Sequence, residues 1–243
     1  MRTFLKDQVK KNWNLQEGCD EYRCEICRDM TFVLEDDVAI ACECRALREA
    51  ESILKNSGIS NSFRDKVFLN FDYSVNKDVL NAYIMAKTYV KNYKAICEGK
   101  CNSIIFMGNS GCGKTHLSLA IANHLMDNGV GVLYMSYREC IIAIKQCIMD
   151  SENYSRIMNK YKNAKVLLID DLFKGSVSAS DLNIIFEIIN FRYFNNKPMI
   201  ISTERFHSDL LNIDEAIGSR ILEMCKDYSL ELRGKELNYR IYG

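Results

Sequence analysis

The chain has 243 residues, of which 48% are hydrophobic and 26% charged, and it contains a single proline. This composition indicates a globular protein and argues against a disordered, repetitive or low-complexity chain. Lys+Arg and Asp+Glu balance at 32 each, so the net charge gives no sign of a nucleic-acid partner, although a local basic groove is compatible with it. No apolar run approaches the roughly 20 residues of a membrane helix, and the first residues lack a signal-peptide core. We therefore expect a cytoplasmic protein with no membrane partner.

Clustered cysteines mark the first part of the chain as a separate module. Five of the eleven cysteines lie between Cys19 and Cys44, and this polar region ends in a predicted helix closed by Gly58. The length favours one α/β domain with a small appendage. We therefore place the domains at 1–58 and 59–243.

Two close cysteine pairs in this module predict a metal site. Cys24 and Cys27 form one pair, Cys42 and Cys44 the other, and the fourteen residues between the pairs allow a β-hairpin to gather four thiolates around zinc. A short segment without a large core needs such a staple, so the zinc would be structural. Because the second pair has a single intervening residue, Cys19 is a substitute ligand to consider. Free or redox-active thiols are the alternative to zinc.

The rest of the chain alternates between short apolar runs and longer helical patterns. A helix is predicted over 75–97, before the first strand. The apolar runs predict buried strands at 103–107, 130–136, 166–170 and 199–203, separated by helices over about 117–128, two short helices within 138–162, and a helix over 178–195. A helix over about 214–225 then leads to an edge strand at 228–232. This order predicts an α/β fold, with a mostly parallel five-stranded sheet flanked by helices.

A glycine-rich loop between the first strand and its helix predicts a phosphate site. Residues 108–115 read Gly-Asn-Ser-Gly-Cys-Gly-Lys-Thr, in which glycines let backbone N–H groups approach phosphate oxygens. Lys114 would reach the β- and γ-phosphates of ATP, and the Thr115 hydroxyl would ligate Mg²⁺. The helix that follows directs its positive end at the same place. A chance glycine-rich turn is the alternative.

The strand at 166–170 delivers two carboxylates, Asp170 and Asp171, at the end of the sheet where α/β proteins bind ligands. We expect Asp170 to hold Mg²⁺ and Asp171 to orient or deprotonate the attacking water, unless the pair merely caps the next turn. The predicted nucleotide-binding residues are Gly108, Asn109, Ser110, Gly111, Cys112, Gly113, Lys114, Thr115, His116 and Asp170, with Thr115 and Asp170 as the magnesium ligands.

Four segments, at 108–117, 168–172, 200–204 and 214–220, together resemble the AAA+ ATPases that load replicative helicases, the DnaC/DnaI group with its phage-type members. The same motifs are similar to the transposition helper IstB. The likeness runs from about residue 22 to residue 243, and the ordered combination is much more specific than any one motif. It implies an AAA+ core whose sensor-1 strand lies between the P-loop strand and the Walker B strand.

The resemblance also implies the catalytic residues Asp171, Lys114, Thr203 and Arg220. Thr203 or Glu204 aligns with the sensor-1 residue, and we choose Thr203 because a glutamate would repel phosphate. Arg220 matches an arginine finger that completes a neighbouring subunit's site, which implies a homo-oligomer joined through ATP-bridged interfaces. A plain surface arginine is the alternative. No lid domain or sensor-2 arginine is evident, so Arg233 and Arg240 are candidates only.

The family implies a slow ATPase, stimulated by a partner or by DNA, that loads a DnaB-like replicative helicase onto single-stranded DNA. Its cofactors would be ATP, Mg²⁺ and Zn²⁺, and the cysteine module would bind the helicase. In related ATPases the region matching 137–162 lines a DNA channel, so the candidates for DNA contact are Tyr137, Arg138, Lys145, Tyr154 and Arg156; a solvated pair of amphipathic helices is the alternative. The other functions to consider are an IstB-like transposition helper ATPase and a nucleotide-gated adaptor with negligible turnover.

Overall fold

The computed structural model describes residues 22, 24–35, 38–45, 48, 52, 58–74, 76–234 and 237–242. The chain divides into two compact units, Met1–Arg48 and Glu49–Gly243, so the division falls before the predicted boundary near Gly58. Cys19 and most of the helix predicted to end at Gly58 lie outside the described residues.

The first unit contains a β-hairpin between the two cysteine pairs. Strands β1 (Phe32–Glu35) and β2 (Val38–Ala41) pair antiparallel, with Phe32 opposite Ala41 and Glu35 opposite Val38. The predicted hairpin is therefore present, and it brings Cys24 and Cys27 to the same end as Cys42 and Cys44.

The second unit is built on a five-stranded parallel sheet. Its strands are β3 (Ile104–Gly108), β4 (Val132–Ser136), β5 (Val166–Leu172), β6 (Met199–Thr203) and β7 (Ser229–Leu232), arranged in the order β4-β5-β6-β3-β7. The predicted α/β class and five-stranded sheet are confirmed. The order also places β6, the predicted sensor-1 strand, between the P-loop strand β3 and the Walker B strand β5.

Helices cover both faces of this sheet. They are α1 (Asn61–Arg64), α2 (Lys77–Ile96), α3 (Lys114–Asp127), α4 (Tyr137–Gln146), α5 (Ser151–Asn163), α6 (Ala179–Phe194), α7 (His207–Ile213), α8 (Glu215–Met224) and α9 (Tyr239–Tyr242), with a 3-10 turn at Phe68–Asn70. Alternate strand residues enter opposite cores: Ile104 and Phe106 pack with α2 and α3, whereas Ile105 and Met107 pack with the helices on the other face. The strands read as continuous apolar runs because both of their faces are buried.

The helices predicted from residue 75 onwards are present, but three short ones were not predicted. The helix α7 is seven residues long and begins where Asp209 Oδ2 accepts a hydrogen bond from the Phe206 N–H (2.9 Å). The helices α1 and α9 span four residues each, too short for a hydrophobic period to register. None of the described helices is both long and apolar enough to span a membrane.

One irregularity of the sheet shapes the site. Along β5 and β6, Ile169 pairs with Ile201, but the next matched pair is Leu172 with Thr203. The strand β5 therefore has one more residue than β6 at this point, a bulge that contains Asp170 and Asp171.

Candidate functional site

The predicted phosphate loop connects β3 to α3, as a nucleotide cradle requires. Gly113 has a φ of 87° and a Cβ there would lie 2.7 Å from the Phe71 ring, so a side chain would be both strained and obstructed. Gly111 has a φ of 82°, and its Cβ would lie 2.0 Å from Asn238 Oδ1. These two positions need glycine because other parts of the chain pack directly on the loop.

Lys114 is almost completely buried in this loop. Its ammonium group donates hydrogen bonds to the carbonyls of Gly108 (2.7 Å) and Asn109 (2.6 Å). The Cys112 thiol donates to the Asn109 carbonyl at 2.9 Å, and burial raises the pKa of this thiol. The Lys114 ammonium group also lies 3.7 Å from Cys112 Sγ, so the loop holds this charge on two main-chain carbonyls and a thiol, beside the cavity that the loop lines.

A cavity of about 380 Å³ opens over the loop. The seven residues from Ser110 to His116 line it, and Asp171, Lys174 and Glu204 form its charged side. Aromatic and aliphatic side chains, Phe63, Phe71, Val79 and Leu119, form its apolar side. Its size and mixed lining are those of a small-molecule site. Asn109 lines an adjoining cavity of about 570 Å³, which shares Ser110, Lys174 and Glu204 with the first.

Asp170 is a buried carboxylate on which three hydroxyl groups converge. Thr115 Oγ1 donates to Oδ1 at 2.8 Å, Ser202 Oγ donates to the same oxygen, and the Tyr134 hydroxyl donates to Oδ2 at 3.1 Å. Burial and the nearby carboxylate raise the pKa of Tyr134, so its hydroxyl keeps the proton that it donates. The described donors to Asp170 are all neutral, and the carboxylate touches the Thr115 hydroxyl. This donor set fits Mg²⁺, which prefers oxygen ligands.

Asp171 lies at the bulge in a left-handed conformation, with a φ of 56°. Its main-chain N–H donates to Ser202 Oγ at 2.9 Å, and its side chain lines the nucleotide cavity. Lys174 donates a hydrogen bond to Asp171 Oδ2 at 2.6 Å and lies 3.8 Å from Glu204. The hydrogen bond to Asp171 raises the pKa of Lys174. The candidate catalytic carboxylate is therefore held by a lysine.

The structure does not bring Thr203 to the cavity. Its side chain is fully buried, and its hydroxyl donates to the Leu172 carbonyl (2.7 Å) while accepting from the Arg205 N–H (3.0 Å). Glu204, which the sequence analysis set aside, lines both cavities instead. Thr203 pairs with Leu172 beyond the bulge in β5, and the Leu172 carbonyl accepts the hydrogen bond of its hydroxyl.

Arg220 lies on α8 and does not line the cavity of its own chain. Its guanidinium donates to the Ala216 carbonyl (2.7 Å) and stacks 5.4 Å from the ring centres of both Phe186 and Tyr193. A role in a neighbouring subunit's site stays a prediction.

The C-terminal residues reach the phosphate loop. The Tyr239 N–H donates to the Gly111 carbonyl at 3.1 Å, and Leu237, Tyr239 and Arg240 line the cavity. Of the two sensor-2 candidates, Arg240 is therefore at the cavity, whereas Arg233 bonds Glu231 at 2.7 Å.

The four module cysteines form one compact cluster. All four sulfurs lie within 4.8 Å of one another, with Cys24 and Cys42 at 3.7 Å and Cys27 and Cys44 at 3.4 Å. A tetrahedral zinc site with Zn–S bonds of about 2.3 Å requires sulfurs about 3.8 Å apart. Burial and the neighbouring Cys27 and Cys24 thiols raise the pKa of Cys44 to about 12, because further negative charge in the cluster is unfavourable without a cation.

Most of the candidate DNA contacts are engaged within the chain. Tyr137 is wrong as a stacking platform because it is buried against Phe173. Lys145 pairs with Asp181, and the Tyr154 hydroxyl donates to Glu187 at 2.8 Å. Arg138 and Arg156 are exposed.

Several residues around the site were not predicted. Tyr134 and Ser202 orient Asp170, Lys174 holds Asp171, and Phe71 packs on the glycine loop. Lys174 lies only three residues after Asp171, but this spacing brings side chains together regularly only in helices, and residues 171–174 are not helical. The other contacts depend on which strands are neighbours.

The fold and the site together define a P-loop nucleotide-binding protein of the AAA+ class. The match to the bacterial DnaA ATPase domain family covers residues 69–225. The chain belongs to this ATPase family.

Relatives extend this likeness beyond the family domain. The chain is 35% identical over 241 residues to the phage-like element PBSX protein XkdC of Bacillus subtilis, covering 94% of this chain and 90% of that protein. It is 26% identical to the replicative helicase loader DnaC of Escherichia coli, covering 76% and 72% of the two chains. The crystal structure of DnaI superposes with a TM-score of 0.59 at 21% identity, covering 72% of this chain and 94% of that chain. The chain spans about half the length of the DnaA proteins that it matches.

Proposed function

We propose that this chain is an ATP-hydrolysing replication protein that loads a replicative helicase onto single-stranded DNA. The contact between Thr115 and Asp170 at 2.8 Å carries the nucleotide part, because it joins the phosphate loop to the carboxylate strand beside the same cavity that Asp171 lines. The similarity to a protein named as a replicative helicase loader supports a replicative helicase as the partner.

The residues of the cavity have distinct roles in this proposal. Lys114 and the N–H groups of the loop bind the phosphates of ATP, and Phe71 and Leu119 belong to the apolar side that would accommodate the base. Thr115 and Asp170 hold Mg²⁺, which supplies charge neutralisation on the phosphates. Asp171 positions the attacking water and accepts its proton. Because Lys174 occupies Asp171, we propose that basal turnover is slow and that a partner or DNA stimulates it.

The cysteine cluster is proposed to hold a structural zinc ion through Cys24, Cys27, Cys42 and Cys44. The module also exposes apolar side chains on and beside its hairpin: Ile26 is 70% exposed, Leu34 68% and Val38 61%. A small unit that leaves such side chains in solvent is suited to binding another protein. We propose the helicase as that protein.

A nucleotide-gated adaptor is the second candidate function. The observation that favours it is again Lys174, since a carboxylate bonded to an ammonium group at 2.6 Å is poorly placed to accept a proton from water. Such an adaptor would bind ATP and change its partner surface with negligible turnover.

The variant Asp171→Asn distinguishes the two candidates. A hydrolysing loader keeps its affinity for Mg-ATP and loses turnover, measured as phosphate release with single-stranded DNA and a DnaB-like helicase present. A nucleotide-gated adaptor would lose none of its function through Asp171→Asn. Binding of the helicase is measured by pull-down with the full chain. The variant Leu34→Ser, which changes an exposed side chain of the hairpin, should weaken this binding without altering ATP binding. Unchanged capture by Leu34→Ser would remove the module from the proposed interface.

Zinc is tested on the purified full chain. We expect about one zinc per chain, and Cys27→Ser should lose it while Cys97→Ser, a cysteine outside the cluster, should retain it. Metal-free protein with an ordered hairpin would refute the structural zinc.

A further inference from the structure

The end of β5 and the loop that follows it, together residues 171–175 and called the loop below, are unusually rich in left-handed backbone conformations. Asp171 has a φ of 56°, Phe173 of 59° and Gly175 of 83°. Two of these residues have side chains, for which this conformation is unfavourable, most of all for a bulky phenylalanine. Such a backbone persists only where its surroundings impose it.

The tip of β6 supplies contacts along most of this loop. Ser202 Oγ accepts from the Asp171 N–H at 2.9 Å, and Thr203 Oγ1 donates to the Leu172 carbonyl at 2.7 Å. Arg205 then donates from Nε to the Phe173 carbonyl (3.2 Å) and from Nη2 to the Gly175 carbonyl (2.8 Å). Three residues at and just after the end of β6 therefore contact the loop in the order of its sequence.

Arg205 differs from Ser202 and Thr203 because its side chain contacts two residues of the loop. Its two described side-chain hydrogen bonds both go to main-chain carbonyls, and these belong to two left-handed residues of the loop. The planar guanidinium presents its donors in a fixed fork, so it can set the spacing of both carbonyls at once. The Arg205 N–H also donates a hydrogen bond to Thr203 Oγ1 at the end of β6. The main chain of Arg205 is therefore bonded to the end of β6, while its guanidinium is bonded to the loop.

We infer that Arg205 is a positioning residue for Asp171. By holding the carbonyls of Phe173 and Gly175, it keeps the loop in the conformation that directs the Asp171 carboxylate into the nucleotide cavity. Arg205 also lines the adjoining cavity, but in this inference it acts through the loop and not on the nucleotide. The inference rests on the proposed hydrolysis by Asp171 and adds a residue that no sequence motif singled out.

The first test separates turnover from binding in the full chain. Arg205→Met should lower kcat by about 10- to 100-fold, the loss that follows from a small displacement of a catalytic group, while the Kd for Mg-ATP changes by less than about twofold. Arg205→Lys retains the charge but cannot bond both carbonyls, so its kcat should lie between those of Arg205→Met and the wild type. Lys94→Met, an exposed cation on α2 away from both cavities, should leave kcat unchanged.

The second test does not depend on turnover. Hydrogen exchange of the amides in 172–175 should be faster in Arg205→Met than in the wild type, while exchange within β3 and α3 stays the same. If the wild-type chain hydrolyses no ATP, the proposed function fails, and the exchange measurement still decides whether Arg205 holds the loop.

Three results would overturn the inference. Wild-type kcat in Arg205→Met would show that the loop needs no such support. An equal loss of ATP affinity and kcat would assign Arg205 to nucleotide binding instead. Unchanged exchange in 172–175 would show that the contacts to Phe173 and Gly175 do not hold the loop.

Discussion

Replacing Asp170 with asparagine should leave the folded chain intact and abolish its response to magnesium. In the wild type the buried carboxylate costs several kcal/mol to desolvate, and each hydroxyl that donates to it returns about 1.5–3 kcal/mol. Thr115, Ser202 and Tyr134 therefore roughly offset the burial. Asparagine can keep the contacts to Thr115 and Ser202 through its oxygen, and its NH₂ can donate to the Tyr134 hydroxyl. We expect the free energy of unfolding without nucleotide to change by less than about 1.5 kcal/mol.

The effect of ligand is much larger. A ligand at 100 times its Kd stabilises a protein by about 2.7 kcal/mol, which raises Tm by about 5–11 °C for a chain of this size. The wild type should show this shift with Mg-ATP and a smaller one with ATP and EDTA. In Asp170→Asn the two shifts should be equal, since asparagine offers no charge to the ion. Asp127→Asn, an exposed carboxylate at the end of α3, serves as the matched control.

Thermal unfolding followed by fluorescence measures both quantities on the same samples. A full magnesium-dependent shift in Asp170→Asn would show that another residue holds the ion. A loss of more than about 3 kcal/mol without nucleotide would show that the charge itself, and not the three hydrogen bonds, organises this part of the chain.

The remaining predictions concern the core, pH and assembly. Arg192→Met should lower the free energy of unfolding by about 3 kcal/mol or more, measured with urea, because the fully buried guanidinium donates to four carbonyls that would lose their partner. Burial lowers the pKa of His116, so the stability present above its unfolded pKa of about 6.5 is lost as pH falls below that value. His116→Gln should flatten this dependence, and an unchanged slope would assign it elsewhere. Mixing Arg220→Ala with Lys114→Ala chains should restore some ATPase if the arginine acts in trans; complete absence of rescue would count against it.

The sequence predicted those parts of the site whose residues lie close together along the chain. The P-loop and the carboxylate pair each lie within a few neighbouring residues, the four cysteines form two close pairs, and the chemistry of each group depends on spacing along the chain. Buried strands were equally visible, because a strand with helices on both faces must be apolar throughout. The short helix α7 and the contacts of Tyr134 and Ser202 with Asp170 were not visible, since they depend on which strands are neighbours in the sheet.

Thr203 shows the limit of this approach most clearly. The resemblance allowed either Thr203 or Glu204 as the sensor-1 residue, and Thr203 was chosen because a glutamate would repel phosphate. One extra residue in β5 changes the pairing from Ile169–Ile201 to Leu172–Thr203, and the threonine hydroxyl then meets the Leu172 carbonyl. A bulge of this kind has no sequence signature, yet it sets the pairing that places Leu172 opposite Thr203.

The same bulge explains why two adjacent aspartates can do different work. Asp170 continues the strand and is surrounded by neutral hydroxyls, so its charge is available to a metal ion. Asp171, still within β5, turns into the left-handed region and meets the charged Lys174. A lysine beside Asp170 would compete with magnesium, whereas a lysine beside Asp171 restrains the group that we propose activates water. In the proposed function, this one-residue difference in backbone conformation separates ion binding from the control of hydrolysis.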